Sequence, residues 1–201
     1  MAMKKAKKAV ERIRTAAKKV ASKVAKKVAA KAPARARKKV LPIPKGFHVV
    51  TPSVVVRGAA NAIEFYKKAF GAKEINRMEG PGGKIMHAEI KIGDSIVMVT
   101  DEFPEMGSKS PETLGGAPSS LMIYTRDADA LFNQAQAAGA KVTMPLADQF
   151  WGDRYGRLVD PFGHNWEVAT RKENLTPKEM ARRGAAAMSG PPPQQPQQKQ
   201  Q

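Results

Sequence analysis

The sequence predicts an α+β domain made of two βαβββ modules, carried between a basic amino-terminal arm and a polar carboxyl-terminal tail. Three observations predict it. The segment AIEFYKKAFGAK (residues 62–73) lines up with ALFNQAQAAGAK (residues 130–141), and a repeat constrains the fold more than any single motif. Both copies carry helical apolar spacing and end in Gly-Ala-Lys, with Gly71 and Gly139 placed as carboxyl-terminal caps. Each copy follows one strand-like run and precedes about three more.

In chain order, residues 1–40 hold 16 of the 35 Lys/Arg and one of the 18 acidic residues, Glu11. The remaining 161 residues hold 19 basic and 17 acidic ones, so the charge of +17 belongs almost wholly to the arm. Ala and Lys favour helix, and Val10, Ile13, Ala17, Val20, Val24 and Val28 form a narrow apolar stripe. Pro33 ends that pattern, and Pro42 and Pro44 mark residues 41–46 as a linker.

The body is expected over residues 47–175, with modules at 47–101 and 117–171. The first uses TPSVVVR (51–57), the helix, then EINRME (74–79), KIMHAEIKI (84–92) and DSIVMVT (94–100). The second uses SLMIYTR (120–126), its helix, then KVTMPLA (141–147), DRYGRLV (153–159) and HNWEVAT (164–170). Gly80-Pro81-Gly82-Gly83 reads as a hairpin connection and not a phosphate loop, since no Lys-Ser/Thr or helix follows it. Asp160-Pro161-Phe162-Gly163 has the form of a type I turn. Residues 101–118 are long and turn-rich, suited to linking the modules or to covering a pocket as a lid. Thr176-Pro177-Lys178-Glu179 is a capping box opening a helix over 176–189. Residues 190–201, rich in Pro and Gln, predict a disordered tail.

Composition excludes some chemistry. Without cysteine there is no disulfide, thiolate nucleophile or Cys-ligated zinc. No run of about 18 apolar residues suits a membrane span, and no apolar signal core follows the amino terminus. The expected location is cytoplasmic, with nucleoid association through the arm.

The stretches AIEFYKKAFGA, MHAEIKIGDS, DEFPEMG, ADQFWGDRYGRLVDPFGHNWEVAT and KENLTPKEM together resemble the PhnB-like glyoxalase/bleomycin-resistance subgroup of the vicinal-oxygen-chelate superfamily. The resemblance spans roughly residues 47–183 and leaves out the arm and the tail. It implies that the modules curl into a cup-shaped mixed sheet, commonly in a homodimer. It also implies either glyoxalase-type lyase or isomerase chemistry or metal-free sequestration of a ligand, as in bleomycin resistance.

Strand alternation divides the side chains between two faces. Val54, Val56, Met86, Ala88, Ile90, Ile92, Ile96, Met98, Leu121, Ile123, Trp166 and Val168 are expected under the helices. The opposite, cup-facing set is Thr51, Ser53, Val55, Ile85, His87, Glu89, Ser95, Val97, Val99, Ser120, Met122, Tyr124, Tyr155, Arg157, Val159, Asn165 and Glu167. Setting Gly93 on Gly163 places His87 opposite Arg157 and Val97 opposite Glu167. Metal-using relatives, by the resemblance, carry His or Glu at four places that here hold Thr51, Val97, Ser120 and Glu167. One carboxylate among such neighbours is a poor divalent-metal site, with His87 and Glu89 as the available substitutes.

Glu167 therefore has three readings: general base, remnant metal ligand, or half of an ion pair with Arg157, since a carboxylate on a half-buried face needs a partner. His87 is either a catalytic or metal-binding group or a hydrogen-bonded structural histidine, and His164 reads as structural. Thr51, Ser120, Tyr124, Trp151, Tyr155, Arg157 and Asn165 are the candidate ligand contacts. Aromatics beside guanidinium groups, as in QFWGDRYGR (149–157), suit a planar or anionic small molecule or a dimer interface. For the arm, Lys4, Lys5, Lys7, Lys8, Lys18, Lys19, Lys26 and Lys27 are the candidate contacts to nucleic acid or another anionic surface. The arm resembles the Lys/Ala-rich tails of linker histones and bacterial histone-like proteins, and without aromatic residues it should not read sequence. A solvated tail and an amphipathic membrane-surface or targeting helix remain the alternatives.

Overall fold

The computed structural model describes residues 40–189, together with Glu11, Thr15, Lys18 and Lys19 of the arm. Those four positions are helical and exposed, and the Thr15 hydroxyl donates to the Glu11 carbonyl. The other candidate lysines of the arm and the expected disordered tail lie outside the described residues. The chain divides into Met1–Pro42 and Ile43–Gln201; both modules lie in the second unit.

The first module consists of β1 (Ser53–Val56), α1 (Ala59–Phe70), β2 (Lys73–Glu79), β3 (Ile85–Ile92) and β4 (Ser95–Asp101). The connection contains the one-turn α2 (Pro111–Leu114). The second module consists of β5 (Ser120–Tyr124), α3 (Ala128–Ala138), β6 (Lys141–Asp148), β7 (Asp153–Val159) and β8 (Asn165–Arg171), and α4 (Pro177–Ser189) follows. The sheets have the orders β1-β4-β3-β2 and β5-β8-β7-β6. In each, the outer strand pairs in parallel with the module's last strand and the other pairs are antiparallel.

Gly71 and Gly139 end α1 and α3 in the left-handed region, as their place in the repeat predicts. At the other end of α1, the cap residue Gly58 has no side chain to offer. The end of β4 supplies one instead. Asp101 Oδ1 accepts from the backbone N–H of Gly58 and Ala59 at 2.8 and 2.9 Å, and its Oδ2 accepts from Ile85 N–H at 2.7 Å. In the second module Thr170 Oγ1 takes the matching place, accepting from Ala128 N–H at 2.9 Å. The Thr176 side chain likewise accepts from Glu179 N–H at the start of α4.

One apolar core lies between the helices and both sheets. Ala62, Ile63, Tyr66, Ala69 and Phe70 of α1 meet Val54, Val56, Ala88, Ile90, Val97 and Val99 of their own sheet. They also meet Leu158, Trp166 and Val168 of the other module. The ring centroids of Phe70 and Trp166 are 4.5 Å apart. Burying one such side chain contributes about 1.5–3 kcal/mol. Tyr66 Oη and Trp166 Nε1 both donate to Asp160 Oδ2 at 2.9 Å, and Asp160 Oδ1 accepts from Phe162 and His164 N–H at 2.9 Å. This buried carboxylate satisfies every donor around it, the condition for keeping it in a core.

The observed register corrects three expectations. Val99 is flanked by Val54 and Ala88, and Val168 by Ile123 and Gly156. The turn of the second module is one residue longer than the Gly93-Asp94 turn, so aligning Gly93 with Gly163 displaces β4 by one. Val97 and Val99 therefore face the helices, while Ile96 and Met98 occupy the open face, the reverse of the expectation. The partner of Glu167 across the repeat is Met98, and that of Arg157 is Glu89 and not His87. A one-residue slip moves every side chain of a strand to the other face, and SIVMV is apolar on both. At the start of β3 a register shift against β2 turns Ile85 inward and leaves Met86 45 % exposed, again the reverse of the expectation.

Candidate functional site

The face of each sheet away from the helices carries a cross-strand row. In the second module, Met122, Glu167 and Arg157 stand side by side on β5, β8 and β7. In the first, the same row reads Ser53, Met98 and Glu89. Glu167 is held from several sides. The Ser120 hydroxyl donates to its Oε1 at 2.7 Å, and Arg157 Nε lies 3.7 Å from the same oxygen. Burial raises the Tyr155 phenol above its ordinary pKa, and the charge of Glu167 raises it further against the opposing pull of Arg157. The expected Glu167–Arg157 pairing is thus present as a long contact, with a hydroxyl making the closer one.

A cavity of about 560 Å³ opens beside this row. Its first wall is the β3–β4 turn, Ile92 to Val97, and its second is the edge strand β5, Ser120 to Tyr124; His48, Val50 and Pro52 border it. Ser120 and Met122 belong to both features, since Met122 is the cross-strand neighbour of Glu167. The volume and the mixed lining fall in the range of small-molecule sites.

The other predicted residues divide. Tyr124 lines the cavity, while its Oη donates to the buried Asp153 at 2.9 Å, whose other oxygen takes Arg171 Nε at 2.6 Å. Trp151 stacks edge-on against Phe150 and Tyr155 in the β6–β7 turn. Asn165 Nδ2 donates to Ala117 O at 2.9 Å and so ties the inter-module connection to β8. Thr51 lies ahead of β1, its hydroxyl donating to His48 O at 3.0 Å. His87 is not brought to Glu167; its Nε2 is 3.2 Å from Glu89 Oε1 on the same strand. His164 is buried and its Nε2 donates to Val55 O at 2.9 Å.

Sequence reasoning placed Ser95 on the cup face but missed His48, Val50, Pro52, Gly93, Asp94 and Ile96 as cavity walls. The lead-in to β1 has no periodicity that would give it a face. The turn needed the correct β4 register before Ile96 could be placed.

The model of the Glyoxalase/Bleomycin resistance protein/Dioxygenase superfamily matches residues 46–168. The chain belongs to that superfamily. Members of this glyoxalase superfamily generally bind small molecules and are often dimeric. An uncharacterized protein of Mycobacterium bovis is 48 % identical over 122 residues, which is 59 % of this chain and 80 % of that protein. The solved structure of protein PA1353 from Pseudomonas aeruginosa superposes with a TM-score of 0.52 at 25 % identity, covering 62 % of this chain and 98 % of that one. The gene product At5g48480 from Arabidopsis thaliana superposes with a TM-score of 0.50 at 27 % identity, covering 61 % and 98 %. No helix among the described residues is long and apolar enough to cross a membrane.

The metal that the resemblance implies would draw its donors from four places. After correction of the register these are Thr51, Met98, Ser120 and Glu167. Among the described residues no three His, Asp or Glu side chains converge as a metal-binding group. One carboxylate that already accepts from a hydroxyl, a thioether and two hydroxyls do not fit zinc, iron or nickel.

Proposed function

We propose that this PhnB-like glyoxalase-fold protein binds a small molecule in the cavity between its modules, with the polar end of the ligand toward Ser120, Glu167 and Arg157. The observation that carries this reading is that Ser120 both lines the cavity and holds Glu167. Arg157 supports it further, because among the described residues its close carboxylate is Glu167, 3.7 Å away, and its side chain is 44 % exposed. A guanidinium so placed takes up an anionic or carbonyl oxygen. Native mass spectrometry of the purified full chain should show a retained ligand and a homodimer, and Arg157→Gln should lose the ligand. A wild-type spectrum free of ligand under gentle conditions, with no small molecule shifting the melting temperature, sinks the reading. Such binding without turnover is sequestration of the bleomycin-resistance kind.

A second reading is glyoxalase-type lyase or isomerase chemistry without a metal. Glu167 would be the base and Arg157 would hold the developing oxyanion, a role for which it is nearer than His87. Glu167→Gln should then abolish turnover with the fold intact; unchanged turnover removes the base. The arm is proposed to hold this cytoplasmic protein to the nucleoid or another anionic surface. DNA affinity that falls steeply with salt and is lost on deleting residues 1–40 supports it; equal affinity after the deletion refutes it.

A further inference from the structure

The internal repeat makes two contacts between the modules equivalent, and only one of them is filled. At the filled one, the outer strand β1 turns the carbonyl of Val55 away from β4, and the ring of His164 donates to it at 2.9 Å. At the other, the matching carbonyl is that of Tyr124. Val55 and Tyr124 stand two residues before Arg57 and Arg126, which the helices bring into register. The bond from Thr125 N–H to Ala169 O fixes the alternation of β5 and points the Tyr124 carbonyl to the open edge. The counterpart of His164 is Ser95, since each stands four residues before the matched valines Val168 and Val99. Where the second module has an imidazole, the first therefore has a hydroxymethyl group, donating to Asp94 Oδ1 at 2.9 Å. The cavity of about 560 Å³ lies there, lined by both Ser95 and Tyr124.

We infer that this cavity takes a flat nitrogen heteroaromatic ring whose N–H donates to the Tyr124 carbonyl, as the ring of His164 does to that of Val55. The inference rests on the small-molecule reading above and gives that molecule a chemical class. The walls suit a ring. Ile92, Ile96, Val97 and Trp166 are all buried and line the space, and an exposed edge strand offers unpaired acceptors. The volume exceeds that of an imidazole, leaving room for the rest of the ligand toward Ser120 and Met122.

The test uses the full chain with 4-methylimidazole, the side chain of histidine, and 4-methylthiazole, a flat ring without an N–H donor. The methyl resonance of Met122 should shift saturably with 4-methylimidazole, and about tenfold more weakly with the thiazole, as the loss of one hydrogen bond predicts. Ser95→His supplies the ring covalently and should abolish the shift. Equal response to both rings, or an undiminished response in Ser95→His, overturns the inference. Should Ser95→His not fold, His164→Ser opens the sister contact. Its lowered melting temperature should recover with 4-methylimidazole and not with the thiazole, and no recovery is an adverse result. A ligand retained through purification alongside indifference to 4-methylimidazole rejects the ring class and leaves the small-molecule reading standing. A protein with neither rejects both.

Discussion

Strand β4 runs out into Asp101-Glu102, and its counterpart β8 runs out into Thr170-Arg171. Asp101 gathers three backbone N–H groups from Gly58, Ala59 and Ile85, while Thr170 gathers one, from Ala128. Glu102 is the acid that receives Arg57; Arg171 is the base that reaches Asp153. The turn between β7 and β8 contributes the buried Asp160, where the β3–β4 hairpin has Ile92. The same backbone is thus fastened by opposite charges at matching places. A repeat conserves the geometry of an anchor and leaves its chemistry open, so the functional face cannot be copied from one module to the other.

The sharpest way to break the comparison is Asp160→Asn. The substitution keeps the shape but puts a donor where Oδ2 now accepts from Tyr66 and Trp166. An unsatisfied buried group costs about 1–3 kcal/mol, and two donors are affected, so a loss of about 3 kcal/mol in urea unfolding is expected. A loss below about 0.5 kcal/mol would show that the core does not depend on this carboxylate.

Next in size is exchanging the helix anchors. Asp101→Thr gives the first module the hydroxyl of the second, which satisfies one N–H where three are now bonded. About 2–3 kcal/mol should be lost. Thr170→Val removes one cap bond together with the hydroxyl's own donation to Thr125 O and should cost about 1–1.5 kcal/mol. Equal losses at the two sites would contradict the asymmetry.

The modules also differ in acid. The hydroxyl of Thr113, the guanidinium of Arg57 and the hydroxyl and N–H of Ser110 hold Glu102 down to a pKa of about 2. That value lies below the ordinary range near 4.3 of an unfolded chain. The stabilisation is complete above the unfolded value and is lost as pH falls through the folded one. Melting temperature should drop between about pH 4.5 and pH 2, and Glu102→Gln should flatten part of that limb. An unchanged limb in the variant would place the acid sensitivity elsewhere.

The fold was legible in the sequence because the repeat, the capping glycines and the alternation in β1, β5 and β8 agree. It failed at β4 and at the start of β3 for physical reasons. SIVMV is apolar on both faces, so period two carries no information there, and the bulge that turns Ile85 inward belongs to the pairing with β2. At the site, Glu167, Ser120 and Arg157 could be placed on one face from β8, β5 and β7 alone. The 2.7 Å bond between Ser120 and Glu167 could not, because it depends on the parallel register of β5 with β8. Nor could the cavity, whose other wall is the turn that the glycine alignment misplaced.

The smallest expected effect tests the charge of the open face itself. Tyr155 stands in the row next to Glu167 and Arg157, where the first module has His87 beside Met98 and Glu89. Burial lifts its phenol, the Glu167 carboxylate lifts it further, and Arg157 opposes. Removing the negative charge with Glu167→Gln should therefore lower the Tyr155 pKa, and removing the positive one with Arg157→Gln should raise it. Both shifts are readable as the ultraviolet difference between each protein and its Tyr155→Phe partner. Two shifts of the same sign, or none, would mean that the three groups do not share one electrostatic environment. The row would then be three neighbours on a sheet and not a site. Opposite shifts would tie the phenol to the same carboxylate that Ser120 holds at the cavity.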